Sequence, residues 1–208
     1  VFPSVVYKGK IRYDANRDLQ PIGAVANAPT VIAVRSTLQA SSLTDLVKLA
    51  KTQPNQLSFG SAGVGGSLHV AGVLLEREAS INLNHIPYKG GAPAMTDLAA
   101  GTVDVALADM TLVKPLLTSG RIKVLAIASD ERSPLLPETP TTSEIGLPGV
   151  RLDTWYALFA PAGTPTQITA RLRASLDKLR VSPSFINALS AQGLAPIKTA
   201  SSTFEAQL

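Results

Sequence analysis

The residues with the clearest chemical potential lie in one glycine-rich turn, Ser61-Ala62-Gly63-Val64-Gly65-Gly66-Ser67, with His69 two positions further on. Backbone N–H groups at the start of a helix are unpaired and carry a partial positive charge, which suits a carboxylate or a phosphate. Glycines let the backbone approach such a ligand closely, and Ser61 and Ser67 add hydroxyls. The same stretch also reads as an ordinary helix cap with flexible glycines. His69 is equally a donor to an anion or a brace for the loop.

A second turn, Tyr88-Lys89-Gly90-Gly91, offers the Tyr88 hydroxyl and, one residue beyond, the Ala92 amide. Lys89 reads as a solvated rim charge and His85 as structural. Asp109 ends a third apolar segment. There it orders a lysine, a water or a ligand amine or hydroxyl, or else caps the next helix, since a bare carboxylate repels an anion in the same cleft.

Several chemistries are excluded by what the chain lacks. Cysteine is absent and His69 and His85 are the only histidines, so thiolate catalysis and multi-histidine metal sites fall away. No carboxylate cluster stands at calcium or zinc spacing, and neither metal nor cofactor is expected. A hydrolase could be drawn from Ser61, Ser67, His69 and Asp109. However, a serine and a histidine two apart on one helical turn do not face each other, and no G-x-S-x-G elbow is present.

The positioning elements follow from periodicity. Leu57 to Gly60 is a short strand, Ser67 opens an amphipathic helix with Val70, Leu74 and Leu75 on its apolar stripe, and a strand ends at Tyr88. Pro93 suits a first helical position, Val103 to Ala108 and Ile122 to Ala128 are strands, and Leu112 to Thr118 is a helix. Upstream, residues 1–28 read as loop and short extended pieces, with Tyr7, Ile11 and Tyr13 as apolar points. Pro29 to Val34 is a buried strand, and Ser42 with Asp45 caps a helix. Strand and helix alternate, which predicts right-handed crossovers and a mainly parallel sheet.

Past a proline-rich loop in which Thr141 and Glu144 form a capping box, Leu152 to Ala160 is a long apolar strand. Thr164-Pro165-Thr166-Gln167, with Thr164 as N-cap, proline at the first position and glutamine at the third, then starts a helix with Ile168, Leu172, Leu176 and Leu179 on one face. A further helix follows Ser182-Pro183, then a short strand from Leu194 to Lys198 and a last helix capped by Ser202 and Glu205.

With 208 residues, 45% hydrophobic content, 16% charge and a net charge of +4, the chain can bury a core. It carries no lysine or arginine run, so nucleic acid is not an expected partner. No apolar run reaches the roughly 18 residues of a membrane helix. The N-terminus, VFPSVVYKGK, has no signal-peptide core and reads as the inside of a longer chain.

Four blocks in order resemble the substrate-binding proteins of tripartite tricarboxylate transporters, the Bug receptors. They are FGSAGVGGSLHVAG (59–72), HIPYKGGAPAMTDLAAGTVDVALAD (85–109), GRIKVLAIASDERSPLLPETPTTSEIGLPG (120–149) and TWYALFAPAGTP (154–165).

The resemblance implies a two-lobed, type II-like periplasmic binding protein fold of two α/β lobes. Residues 1–28 and 161–208 form the first lobe, 29–34 and 152–160 the crossing strands, and 35–151 the second lobe. It also implies that the first lobe is incomplete, because family members carry a strand and a glycine loop further upstream. Thr154 and Trp155, the sole tryptophan, fall in the second crossing, where Trp155 is either core or ligand wall.

The implied function is that of a non-catalytic, monomeric periplasmic receptor. It closes on a small carboxylate held by amides, hydroxyls and waters, and offers it to membrane permease subunits. The ligand-sensing module of a transcription regulator is the competing reading, and it requires a helix-turn-helix that this stretch does not encode.

Overall fold

The computed structural model describes residues 13–197 and Phe204. Tyr7, Ile11 and the helix expected around Ser202 and Glu205 lie outside these residues. The chain divides into two compact units, Val1–Asn27 with Trp155–Leu208, and Ala28–Thr154.

Asp14 caps the four-residue helix α1 (Ala15–Asp18), its carboxylate accepting from the Asn16 N–H at 2.9 Å. Strand β1 (Leu19–Arg35) then runs unbroken for 17 residues. Its second half is the expected PTVIAV strand. Its first half, expected as loop, is also strand. Pro21, Gly23 and Asn27 disguise it, because residues that usually punctuate loops are tolerated here inside a ladder.

In the Ala28–Thr154 unit, α2 (Leu43–Thr52) begins as the sequence predicts. Ser42 Oγ accepts from Asp45 N–H and Asp45 Oδ2 from Ser42 N–H, both at 3.1 Å. The remaining elements are β2 (Ser58–Ser61), α3 (Ser67–Ala79), β3 (Asn84–Pro87), α4 (Gly91–Ala100), β4 (Val105–Asp109), α5 (Met110–Thr118) and β5 (Ile122–Ile127). Pro93 is the third residue of α4, two later than expected. It does no harm there, because the N–H it lacks belongs to the first turn.

The sheet order is β3-β2-β4-β1-β5. Strand β2 pairs parallel with β3 and β4, whereas β1 runs antiparallel to both β4 and β5. The expectation of a mainly parallel sheet is therefore corrected to a mixed one. Strands β2 to β5 share one direction, as crossover spacing requires. Strand β1 enters between two of them against the grain, and spacing does not encode that.

Alternation along the central strands makes two apolar layers. Ile32, Val34, Val105 and Leu107 pack with Leu43, Leu46, Leu68, Ala71 and Leu75 of α2 and α3. Val31, Ala33, Ala106 and Ala108 pack with Met95, Leu98, Met110 and Val113 of α4 and α5. Each large side chain so buried contributes roughly 1.5–3 kcal/mol.

In the proline-rich loop, Thr141 Oγ1 accepts from Glu144 N–H at 3.1 Å and Glu144 Oε2 accepts from Thr141 N–H at 2.8 Å. The expected capping box is formed on a turn and not on a regular helix.

Strand β6 (Asp153–Pro161) begins in the Ala28–Thr154 unit and continues from Trp155 in the other, which holds α6 (Thr166–Arg180), α7 (Pro183–Ala191) and β7 (Ala195–Pro196), with β6 and β7 both paired to β1. Ile22, Ala160 and Leu176 form its core among the described residues. Two expectations are corrected here. Pro165, not Thr164, is the cap residue of α6, and the Thr164 hydroxyl donates to Pro161 C=O at 2.7 Å. Of the expected face only Leu176 is buried, while Ile168, Leu172 and Leu179 are exposed. Periodicity reveals a stripe without saying what covers it.

Candidate functional site

Strands β2, β3 and β4 point the same way, and their registers bring their carboxyl ends to one sheet edge, with Ser61 beside Pro87 and Gly60 beside Ala106. Each strand leads into a helix, and α3, α4 and α5 all start without a side-chain cap, at Gly66, Gly90 and Asp109. On α2, away from this edge, a full capping box is built. Three helix N-termini therefore present first-turn N–H groups and aligned dipoles along one edge, with no side chain of their own to satisfy them.

The turn from Ser61 to Ser67 is held by internal bonds. Gly63 and Gly65 take φ of +132° and +76°, conformations that side-chain-bearing residues rarely adopt. Ser61 is fully buried. Its Oγ accepts from Gly63 N–H at 3.3 Å and stands 2.7 Å from His85 Nε2. The Gly65 N–H donates to His69 Nδ1 at 3.0 Å, so that amide is already spent. His69 and His85 stack with centroids 4.1 Å apart and planes 14° from parallel. Burial pushes the His85 imidazole down from its ordinary range, His69 adds to this, and Glu76 opposes it. Ala62 and Ser67 complete the turn, and Ser67 is the first residue of α3.

The Tyr88 hydroxyl donates to Asp97 Oδ2 at 2.7 Å. Its pKa is pushed up to about 12, by burial first and by the Asp97 hydrogen bond and charge next. Tyr88 thus presents a constrained edge. Ala92 is exposed in the first turn of α4.

Asp109 stands at the cap position of α5 without capping it. Its carboxylate accepts from the Thr30 hydroxyl at 3.1 Å and from Thr154. Burial raises the carboxyl pKa, and the two threonine hydrogen bonds oppose that rise. Trp155 belongs to the other unit, where its ring meets the edge of Phe204 at 5.4 Å and remains 43% exposed.

The structure thus brings Ser61, Ala62, Gly63, Gly65, Gly66, Ser67, His69, Tyr88, Ala92 and Asp109 to one edge, with Thr154 joined to it through Asp109. Three further residues enter the same network: His85, Thr30 and Asp97. His85 is legible only from strand register, since parallel pairing sets it beside Phe59, two residues before Ser61 on the same face of β2.

A test of the Asp109 arrangement follows from linkage. A carboxyl whose folded pKa is raised costs stability at neutral pH, and the cost disappears as pH falls below the ordinary 3.8. Asp109→Asn keeps partners for Thr30 and Thr154 and removes the buried charge. It is expected to melt higher than the parent at pH 7, by on the order of 1 kcal/mol, with the gap narrowing toward pH 4. A variant less stable at pH 7 would show that the carboxylate is a net stabiliser.

Among the described residues no helix is long and apolar enough to cross a membrane, and no group of three or more metal-ligating side chains occurs.

The sequence profile of the tripartite tricarboxylate transporter family receptor matches residues 3–207. A UPF0065 protein from a Pseudomonas species is 39% identical over 92% of this chain, which spans 56% of that relative. Protein BugT of Bordetella pertussis is 32% identical over 95% of this chain, which spans 59% of it. The solved structure of R. palustris Rpa4515 with adipate superposes with a TM-score of 0.84 at 31% identity, over 94% of this chain and 65% of that one. The chain thus spans little more than half the length of the two curated relatives it matches, and it belongs to the tripartite tricarboxylate transporter receptor family.

Proposed function

We propose that the chain is part of an extracytoplasmic, periplasmic receptor that captures a small carboxylate and delivers it to a tripartite-type permease. The supporting observation is the convergence of three helix N-termini without side-chain caps on one sheet edge, an arrangement that favours an anion and offers N–H donors to it. That Rpa4515 was solved with adipate supports a carboxylate as that anion. Ligand donors in this reading are the open amides of the 61–67 turn, the Ser67 hydroxyl, and the amide of Ala92. Tyr88 borders them, Asp109 selects for a ligand hydroxyl or amine, and Thr154 and Trp155 are further contacts. Residues 29–34 and 152–160 serve as the crossing strands between two lobes.

The test is thermal melting of the chain, after unfolding and refolding to strip bound solute, against a panel of mono- and dicarboxylates. A ligand at 100 times its Kd adds about 2.7 kcal/mol, a shift of several degrees at this size. A selective rise supports the receptor reading and gives the ligand class. A well-folded sample that no carboxylate stabilises would overturn it for this chain.

A further inference from the structure

We propose that His69 and His85 are positioning residues for the 61–67 turn. They form a stacked pair of neutral imidazoles that holds the turn in its binding shape, and protonation of the pair releases it. The ligand half of this inference rests on the carboxylate reading above, whereas the structural half does not.

Each end of the turn is tied to one ring. At the start, Ser61 Oγ lies 2.7 Å from His85 Nε2; toward the end, the Gly65 N–H donates to His69 Nδ1 at 3.0 Å. The rings are locked to each other by stacking at 4.1 Å, and the Phe59 ring flanks His85 at 5.3 Å. Two residues four apart in the turn are therefore bridged through two side chains sixteen apart in sequence.

The bond from Gly65 requires an unprotonated Nδ1, which places the neutral His69 proton on Nε2. Adding a proton to Nδ1 sets two donors face to face and breaks that bond. A proton on His85 sets a cation against its stacked neighbour. Glu76 of α3 acts on His85 from the helix side, although its Oε1 already accepts from Leu83 N–H at 2.7 Å. On the strand side, Phe59 and Ser61 carry no charge.

The depressed His85 pKa agrees with this geometry. A histidine that the fold keeps neutral binds its proton more readily when unfolded. The turn is therefore stable at neutral pH and weakens as pH falls below about 6.5.

Because the chain has two histidines in all, long-range proton–nitrogen NMR resolves both imidazoles in the wild-type, ligand-free chain. The expected result at pH 8 is an unprotonated His69 Nδ1. On lowering the pH, both rings and the Gly65 amide should move together through one midpoint. Adipate affinity, measured by calorimetry, should fall at least fivefold across that midpoint. His85→Gln, which removes the stacked neighbour, should shift the Gly65 amide.

A His69 ring carrying its proton on Nδ1 would overturn the proposal, as would a Gly65 amide unmoved while the rings titrate. Coupled titration in a chain that binds no carboxylate would sustain the pair and sink the receptor reading. Adipate binding of constant strength, with the amide unmoved, would do the reverse.

Discussion

Gly72→Ala is expected to destabilise the Ala28–Thr154 unit by about 2–3 kcal/mol, at the upper end of what one added methyl costs in a packed core. On an exposed helix the same change would stabilise by roughly 1 kcal/mol, because alanine is the better helix former. The sign reverses because of what lies under the helix. A Cβ on Gly72 would meet Cε1 and Cζ of Phe59 at 2.2 Å, and that ring is fully buried between α3 and the sheet. It cannot swing aside into solvent, so α3 must lift from β2.

The consequence reaches the candidate site. The first turn of α3 is one wall of it, and the same Phe59 ring flanks His85. If the proposed receptor function holds, a lifted α3 therefore lowers carboxylate affinity as well as stability. Thermal melting and ligand titration of the variant read both. Phe59→Leu in the same chain removes the colliding ring atoms, so the double variant should lose less than the sum of the two single losses. A Gly72→Ala protein as stable as its parent would mean that the helix sits further from the sheet than 2.2 Å allows.

How much of this was legible beforehand depends on the range of the signal. Local signals carry far: the Ser42 and Asp45 capping box, the strand at Pro29 to Val34 and the helix start at Ser67 each depend on residues a few positions apart. The glycine turn was legible as an anion-binding candidate because helix N-termini and glycines announce themselves in sequence. That three such termini share one edge was implied by the strand–helix alternation, since β2, β3 and β4 do run the same way.

What failed was set by partners distant in sequence. The direction of β1 depends on its insertion between β4 and β5, and its first half is held as strand by β6 and β7 from the far end of the chain. Ile168, Leu172 and Leu179 mark an apolar stripe on α6, but Thr169, Leu176 and Arg180 are the residues it buries. In the site, the sequence offers the Tyr88 hydroxyl to a ligand, yet Asp97 in the next helix takes it. His85 reads as structural in the sequence, yet strand register and the reach of an imidazole bring it to Ser61. Side-chain partnership across strands has no signature in a single sequence.

The opposite edge of the sheet carries the second large effect. Asp104 joins three strands at their far ends from the candidate site. Its Oδ1 accepts from Arg35 Nε at 2.7 Å, and its Oδ2 accepts from Ser58 N–H at 2.9 Å and Ser58 O–H at 2.8 Å. Its own N–H donates to Ser58 Oγ at 3.0 Å. The Asp104 and Arg35 side chains are only 17% and 28% exposed, so the pair is neither a screened surface contact nor a fully desolvated one.

Asp104→Ala is expected to cost about 3 kcal/mol, because it leaves a guanidinium and a strand N–H partly buried without their acceptor. At roughly 2–4 °C per kcal/mol for a chain of this size, melting should fall by about 6–12 °C. Asp104→Asn keeps one acceptor and should cost less.

The pH dependence has a definite sign. Burial alone would raise the Asp104 carboxyl, but the Ser58 N–H, the Arg35 side chain and the Ser58 hydroxyl together outweigh it and hold the carboxyl below 3.8. Its stabilisation is therefore present above pH 3.8 and is lost as pH falls through the lowered folded value, so the gap between parent and Asp104→Ala narrows in acid.

Carboxylate affinity, measured below the melting range, should change little, since Asp104 holds the amino ends of β2 and β4 and the proposed ligand donors lie at the carboxyl ends. If Asp104→Ala abolished binding in a folded protein, the assignment of one edge to stability and the other to recognition would fail.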